Sequence, residues 1–310
     1  MVKSVVAVET FDLTKSFDKT VALDQLNLNI EKGELFGLVG PDGAGKTTTL
    51  RLLSGILKPS SGNARVAGLD VIREAESLKG HIGYMPQRFG LYEDLTVEEN
   101  LDFFCDIFEV PKEERKKRIG DLMEFSQLHG FRKYLAGNLS GGMKQKLGLS
   151  CVLIHRPQIL LLDEPTSGVD PYSRRDFWKI LFEQLKRGVT ILISTPYMDE
   201  AERCHRVGML HQGSLLAMDA PDEIRKLSAG VLFEVLTDQP RKAHQVVQES
   251  GLPLSCVLFG DRLHLLLKDS EKDLQIIEKR FTTSNIKILE KRRITPSLED
   301  VFFSFLSSHE

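Results

Sequence analysis

The stretch Leu35-Phe-Gly-Leu-Val-Gly-Pro-Asp-Gly-Ala-Gly-Lys-Thr47 decides the fold, because an apolar strand runs directly into a glycine-rich loop. Residues 40–47 fit the pattern G-x-x-x-x-G-K-[ST], and we expect a helix over residues 48–57. Glycines let such a loop turn its backbone N–H groups toward a polyphosphate, and the positive end of the helix favours the same anion. In this pattern Lys46 reaches the β- and γ-phosphates, and the Thr47 hydroxyl binds Mg²⁺. A chance glycine-rich turn is the plainer interpretation, but such a turn has no reason to lie between a strand and a helix.

A second apolar strand, Ile159-Leu-Leu-Leu162, ends in the acids Asp163 and Glu164. Alone, an acid pair at the end of a strand is more often a surface feature. Because it follows a phosphate-binding loop, the pattern predicts that Asp163 holds Mg²⁺, directly or through water. Glu164 is then placed to polarise the attacking water.

A further helix is predicted to begin within Leu139-Ser-Gly-Gly-Met143. The Ser140 hydroxyl and the backbone N–H groups of Gly141 and Gly142 would lie at the positive end of this helix, which favours an anion. A flexible turn with a serine N-cap explains the same residues, and the short pattern does not decide between the two.

Strands separated by helices, with polar residues where the strands end, predict a mostly parallel α/β core. Residues 5–30 alternate apolar and polar residues like an antiparallel strand pair. Residues 96–136 are predicted to form helices, because Thr96 and Glu99 match a capping box and Pro111 breaks the pattern.

The character of the chain changes after about residue 230. The predicted elements there follow the order β-α-β-β-α-β of a ferredoxin-like unit, with a terminal helix over residues 296–305. We therefore predict two domains, residues 1–230 and residues 231–310.

Composition excludes several classes of protein. A net charge of −3 over 310 residues gives no global electrostatic reason to bind nucleic acid. No apolar run approaches the roughly 20 residues that span a bilayer, and we expect no signal peptide to begin at Met1–Ser4. The four cysteines lack metal-binding spacing, so we expect reduced thiols in a soluble, intracellular protein.

Taken together, these motifs resemble those of the ATP-binding subunit of an ABC transporter over roughly residues 3–225. The motifs in family order are Gly40–Thr47 (Walker A), Gln87 in Tyr84-Met-Pro-Gln87 (Q-loop), Leu139–Met143 (signature), Ile159–Glu164 (Walker B) and Ser167–Asp170 (D-loop). Phe89-Gly-Leu-Tyr92 and Ile294-Thr-Pro-Ser-Leu-Glu-Asp-Val-Phe302 are similar to segments of the ABC-2-type drug-exporter group.

The resemblance implies a P-loop NTPase core of the ABC type with an antiparallel β subdomain and an α-helical subdomain, and ATP and Mg²⁺ as cofactors. The implied catalytic residues are Glu164, Gln87 and Lys46, and the implied metal ligands are Thr47, Gln87 and Asp163. The implied ATP-binding residues are Phe17, which would stack on adenine, then Gly40, Pro41, Asp42, Gly43, Ala44, Gly45, Lys46, Thr47 and Thr48, and finally Ser140, Gly141 and Gly142, which would contact the ATP held by an opposite subunit.

The resemblance also implies partners. Two ATP-binding domains would form a head-to-tail dimer, with Asp170 in contact with the partner. The Gln87 loop and residues 96–136 would hold the coupling helix of a separate ABC-2-type permease subunit, which places the chain in the cytoplasm on the inner face of the cell membrane. Substrate efflux is the implied function. An importer ATPase with a regulatory C-terminal domain, a non-transport ABC ATPase and a P-loop protein that binds nucleotide only for regulation are the alternatives.

Three residues depart from the family pattern. Met143 replaces the usual Gln, and Asp42 replaces the usual Asn of the P-loop. Pro196 stands where the family carries the switch histidine, and proline has neither an imidazole nor an N–H. We expect His205, nine residues later, to lie on a helix in a surface or core role. The hypothesis that follows is slow hydrolysis at this chain's own site, in a dimer with a different, His-bearing ATPase domain.

Overall fold

The computed structural model describes residues 5–88 and 90–307. Two predictions concern residues outside this description. They are the absence of a signal peptide at Met1–Ser4 and the exporter-like segment at Phe89. The chain divides into two compact units, Met1–Leu216 and Ala217–Glu310. Among the residues that are described, no helix combines the length and the apolarity needed to cross a bilayer.

The first unit contains strands β1 (Val6–Phe17), β2 (Thr20–Leu26), β3 (Asn29–Glu31), β4 (Leu35–Val39), β5 (Ser61–Val66), β6 (Leu69–Asp70), β7 (Ile82–Met85), β8 (Ile159–Asp163), β9 (Thr190–Thr195) and β10 (Arg206–His211). Strand β11 (Ser214–Asp219) begins in this unit and ends three residues past its last residue. Its helices are α1 (Lys46–Leu53), α2 (Ala75–Lys79), α3 (Val97–Ile107), α4 (Lys112–Phe125), α5 (Gly141–Leu153), α6 (Pro171–Lys186) and α7 (Met198–Ala201).

The central sheet has the order β11-β10-β4-β9-β8-β7. The pairs from β10 to β7 are parallel, as predicted. Every residue of β4, β8 and β9 is buried, which explains why these strands are continuous apolar runs rather than alternating ones. Because these strands run in parallel, their carboxyl ends lie along one edge of the sheet.

The two predicted subdomains are confirmed. Strands β1, β2, β3, β5 and β6 form an antiparallel sheet. Helices α3, α4 and α5 share an apolar cluster that includes Leu101, Met123 and Leu147. The capping box is present, since Thr96 Oγ1 accepts a bond from the Glu99 N–H and the Glu99 carboxylate accepts one from the Thr96 N–H.

The predicted terminal helix spans Leu298–Ser307 instead of residues 296–305, and the helix after the glycine-rich loop also differs in both bounds. Helix α1 begins at Lys46, inside the loop motif, and ends at Leu53 instead of residue 57. Ser54 is its C-cap, and Gly55 takes the left-handed conformation at φ +72° that commonly ends a helix.

The second unit contains α8 (Pro221–Lys226), β12 (Val231–Thr237), α9 (Pro240–Gln248), β13 (Ser255–Phe259), β14 (Arg262–Leu267), α10 (Ser270–Thr283), β15 (Ile288–Ile294) and α11 (Leu298–Ser307). Its antiparallel sheet has the order β13-β14-β12-β15, so the predicted ferredoxin-like arrangement is confirmed. One core lies between the sheet and helices α9 and α10 and includes Val235, Leu265 and Phe281.

Candidate functional site

Four strands of the central sheet end at the candidate site. Residues 40–47 follow β4, and Gln87 follows β7. Asp163 is the last residue of β8, Glu164 comes directly after it, and Pro196 follows β9. Since these strands are parallel neighbours, the topology brings the four segments to one edge of the sheet. Such an edge is the usual place for a ligand in an α/β protein.

The loop at residues 40–47 has the backbone that a polyphosphate requires. Gly43 and Gly45 have φ values of +80° and +107°, which other residues rarely adopt. A Cβ atom at Gly45 would lie 2.6 Å from the Ala22 carbonyl oxygen, so only glycine fits there. Within the described residues no side chain caps the amino end of α1, so its first N–H groups have no intrahelical or side-chain acceptor. These residues fit a phosphate chain.

Lys46 lies at the centre of this loop and is almost completely buried. Its ammonium donates to the carbonyls of Gly40 and Pro41 at 2.7 and 3.0 Å. The same Nζ lies 3.1 Å from Glu164 Oε1, and Gln87 Nε2 donates to Glu164 Oε2 at 3.0 Å. The structure therefore brings together the three residues that were predicted to be catalytic.

Asp163 is the anchor of the predicted metal site. Its Oδ1 accepts hydrogen bonds from Thr47 Oγ1 at 3.0 Å and from Ser194 Oγ at 2.8 Å. A carboxylate beside a hydroxyl supplies the oxygen ligands that Mg²⁺ takes in proteins, where substrate phosphates complete its shell. Asp163 and Thr47 therefore fit Mg²⁺, while Gln87 bonds Glu164, and no contact among the described residues joins it to Asp163 or Thr47.

Glu164 has an unusual backbone. Its φ of +46° is left-handed, which costs about 1–2 kcal/mol for a residue other than glycine. Its N–H donates to both the carbonyl and the Oγ of Ser194, at 3.1 and 3.0 Å. These bonds hold the turn that directs the carboxylate toward Lys46 and Gln87.

Ser194 is a site residue that the sequence pattern did not predict. It is fully buried at the end of β9, where it bonds both Asp163 and the Glu164 backbone. One signal was available in the sequence: Ser194 is a hydroxyl residue near the end of a buried strand, β9, which pairs with the strand that ends in Asp163.

The signature residues lie apart from this group. Ser140 is the N-cap of α5, where its Oγ accepts a bond from the Met143 N–H at 3.3 Å. Asp170 caps α6 in the same way, through Ser173 at 2.9 Å. Gly142 packs directly against Ser173, so α5 and the amino end of α6 are in contact. In the part of the chain that is described, no contact joins Ser140, Gly141 or Gly142 to Lys46, Asp163 or Glu164.

Phe17, Asp42 and Thr48 complete the account of the predicted ATP-binding residues. Phe17 ends β1 with its ring about half exposed, and the Lys15 ammonium lies 5.0 Å from the ring centroid. Asp42 is exposed, so its carboxylate is not buried among the loop N–H groups. Thr48 lies in the first turn of α1 and is partly buried.

The prediction for His205 is wrong in its secondary structure. His205 lies in a bend before β10, not on a helix. Its ring Nδ1 accepts a hydrogen bond from the Leu35 N–H at 3.2 Å, and the backbone N–H of His205 donates to the Leu35 carbonyl at 2.8 Å. Leu35 begins β4 whereas the glycine-rich loop follows its end, so His205 lies at the opposite edge of the sheet and cannot replace a histidine at position 196.

Comparison with known proteins agrees with this geometry. The family described as "ABC transporter" matches residues 23–167. The Nod factor export ATP-binding protein I of Paraburkholderia xenovorans (strain LB400) is 40% identical over 84% of this chain and 90% of its own length. The chain belongs to the ATP-binding proteins of ABC transporters. The predicted family and fold class are thereby confirmed.

Two further comparisons place this ABC protein among its relatives. The probable multidrug ABC transporter ATP-binding protein YbhF of Escherichia coli (strain K12) is 44% identical over 92% of the chain. The chain spans 49% of that protein, about half its length. A solved dimer of the ATP-binding cassette MJ0796, described as a post-hydrolysis state bound to ADP and Pi, has a TM-score of 0.64 at 26% identity, over 69% of this chain and 98% of the cassette.

Proposed function

We propose that this chain is the ATP-hydrolysing subunit of an ABC exporter. The observation that carries the proposal is the buried group of Lys46, Asp163 and Glu164 beside a glycine-rich loop at one edge of the sheet. The relatives' names, which describe multidrug and Nod factor export, support efflux over uptake.

The residues of this chain divide the chemistry among themselves. The loop N–H groups and the Lys46 ammonium would bind the phosphates of ATP, and Thr47 with Asp163 would hold Mg²⁺. Mg²⁺, when bound, neutralises charge on the phosphates. Glu164 would accept a proton from the attacking water, because its carboxylate is held in the group and has no other donor than Lys46 and Gln87 among the described contacts. Gln87 would orient that carboxylate through its 3.0 Å hydrogen bond.

Pro196 makes hydrolysis slow in this proposal. It follows Thr195 at the end of β9, beside the strand that ends in Asp163, and it offers no donor to charge that develops in the transition state. A single such donor is worth about 10²–10³ in rate. ATP binding would persist, since the loop, Lys46 and Asp163 do not depend on residue 196.

Two statements are to be tested, slow hydrolysis and persistent ATP binding. Steady-state ATPase measurements on the full chain test them. We expect slow turnover, with a gain of about tenfold or more in Pro196→His and an unchanged affinity for MgATP. Vigorous turnover of the natural chain that is lost in Glu164→Gln, with no gain from Pro196→His, would overturn the slow-site proposal.

The partners remain part of the proposal. A separate pair of ABC-2-type permease subunits would span the membrane, with this chain on its inner face. A second ATP-binding domain with an intact switch histidine would complete the dimer, and residues 231–310 would serve dimer contact or regulation. The dimeric MJ0796 cassette supports the pairing of two such domains. Co-purification from detergent-solubilised membranes tests this, since recovery with ribosomes or DNA and without an integral membrane protein would contradict it.

A further inference from the structure

Glu200 is a completely buried carboxylate four residues after Pro196. It lies on the short helix α7 and faces the interior of the first unit. Its Oε1 accepts hydrogen bonds from Thr166 Oγ1 at 2.6 Å and Trp178 Nε1 at 3.3 Å. Its Oε2 accepts one from Thr195 Oγ1 at 2.7 Å. A buried carboxylate is stable only when it is paired and hydrogen-bonded, and Glu200 meets this requirement through side chains of three separate segments.

Arg174 supplies the opposite charge. Its Nε lies 3.5 Å from Glu200 Oε1, a distance and alignment that make an ion pair but no hydrogen bond. The guanidinium also stacks on the Tyr197 ring at 4.5 Å and lies 3.8 Å from Asp199 Oδ2. Arg174 is therefore the loosest member of what we call the Glu200 cluster, which consists of Thr166, Arg174, Trp178, Thr195 and Glu200.

The three segments that form this cluster lie beside different functional residues. Thr166 lies two residues after Glu164, and Thr195 directly precedes Pro196. Both therefore adjoin the residues that act on this chain's own nucleotide. Arg174 and Trp178 lie on α6, whose amino end carries Asp170 and packs through Ser173 against Gly142. The family resemblance assigns Gly142 to the ATP held by the opposite subunit and Asp170 to contact with the partner.

We propose that Glu200 is a positioning residue that couples the nucleotide state of this chain's own site to helix α6. A shift of Thr166 or Thr195 displaces the carboxylate, because both hydroxyls bond it at 2.7 Å or less. The carboxylate then moves relative to Trp178 and Arg174, and α6 carries the change to Asp170 and, through Ser173, to Gly142. The proposal rests on the proposed function, because it requires that ATP binds at Lys46.

The chain contains one tryptophan, Trp178, so its emission reports on this cluster without any label. The experiment titrates the full chain with MgATP and records Trp178 emission, while calorimetry measures binding of the same nucleotide. We expect a saturable change in emission in the natural chain. We expect Glu200→Gln to bind MgATP within about twofold of the natural affinity but to lose the emission change. Asp199→Asn is the matched control, because it removes an exposed carboxylate from the same arginine and should keep the response.

Thr195→Val and Arg174→Gln cover the case in which Glu200→Gln does not fold. Each removes one contact of the cluster, and each should reduce the emission change per bound nucleotide. Arg174→Lys should recover part of it, because it restores the charge. A residue with a merely structural role would lower the melting temperature without altering the response per bound nucleotide.

The outcomes separate the two proposals. Calorimetric binding of MgATP without any emission change in the natural chain would overturn the role of Glu200, as would a full response in Glu200→Gln. Absence of calorimetric binding in the natural chain would instead overturn the proposed function.

Discussion

Each unit of the molecule contains a buried acid beside a basic side chain, and the two pairs are built differently. Lys46 and Glu164 lie 3.1 Å apart in the first unit, and His264 and Asp300 lie 2.7 Å apart in the second. The first pair lies where four strands of the central sheet end, and its members also bond residues of the segments around that edge. The second lies under the terminal helix α11, which begins two residues before Asp300. The first arrangement suits a pair that a ligand separates, whereas the second suits a clamp that holds a helix.

The environment of His264 makes the clamp sensitive to protons. Burial lowers the pKa of His264, but the hydrogen bond to Asp300 and the nearby Glu234 carboxylate outweigh burial, so the pKa is raised. Burial raises the pKa of Asp300, but hydrogen bonds from His264 and Ser297 outweigh it, so that pKa is lowered. Imidazole is the one side chain of the two pairs that normally titrates between pH 5 and 8.

The charged side chains near His264 lie on β12, on β14 itself and on β15. Glu234 on β12 accepts bonds from Arg262 and Arg292 at 2.7 Å each, and Arg262 also bonds Glu290 at 3.1 Å. The hydrogen bonds from Arg292 and Arg262 outweigh burial and lower the pKa of Glu234. Glu299 lies beside Asp300 on helix α11, and burial together with the Asp300 carboxylate raises its pKa.

The largest expected effect comes from breaking the first pair. Glu164→Gln should lower ATP turnover by about 10²–10⁴-fold, since the amide cannot accept the proton of the attacking water. MgATP binding should persist. Turnover is measured in both the natural chain and Pro196→His, so that a slow starting rate does not hide the loss.

Glu93→Gln is the matched control for that substitution. Glu93 also pairs with a lysine, Lys144, at 2.8 Å, but the pair is exposed. It should change turnover by less than about twofold, because an exposed pair contributes little. Equal losses in the two variants would show that the Glu164 pair has no special role in catalysis.

The intermediate effect comes from breaking the clamp. A histidine whose pKa is raised on folding stabilises the fold below its ordinary pKa, and this stabilisation is lost as the pH rises through the raised value. His264→Gln should therefore weaken protection of the α11 amides by about 1–2 kcal/mol at pH 6, and by less at pH 8. Hydrogen exchange, corrected for the intrinsic rates at each pH, measures this.

His244→Gln is the control for the clamp. His244 lies in the same unit, but its Nε2 contacts the Cys256 carbonyl at 3.3 Å and, among the residues that the structure describes, no carboxylate. Substitution of His244 should leave the difference in α11 amide protection between pH 6 and pH 8 unchanged. A pH-independent effect of His264→Gln on α11 would contradict the clamp.

The smallest expected effect lies at the exposed end of the same network. Glu290 is about half exposed, and its described ion pair is the one with Arg262 Nη2 at 3.1 Å. Glu290→Gln should change α11 protection by less than about 0.5 kcal/mol, and salt should remove even that. An effect as large as that of His264→Gln would mean that the network acts as a whole and not through the buried pair.

The local patterns of the sequence predicted most of the fold. The strands and helices after residue 230 follow the predicted order, and Thr96 caps α3 as expected, because alternation and capping are local signals. The glycine-rich loop and the acids after β8 were predicted for a similar reason, since each is contiguous in the chain.

Contacts between distant segments could not be predicted in this way. Ser194 reaches Asp163 across 31 positions, and Glu200 reaches Thr166 across 34, so no local pattern marks either. The helix expected at His205 failed because α7 ends at Ala201 and a bend at 204–205 leads the chain back to β4. That bend is fixed by its two bonds to Leu35, which is 170 positions away.

Gly142 has a consequence of its own. A methyl group at this position would overlap both the Cβ and the Oγ of Ser173, so the spacing of α5 and α6 depends on a hydrogen atom. The signature glycine is therefore needed for the packing of α5 against α6 within its own chain, before any partner arrives. Gly141, one residue earlier, has open space around it and carries no such constraint. Alanine at position 141 thus probes recognition of the neighbouring subunit, whereas alanine at position 142 first probes the architecture of this one.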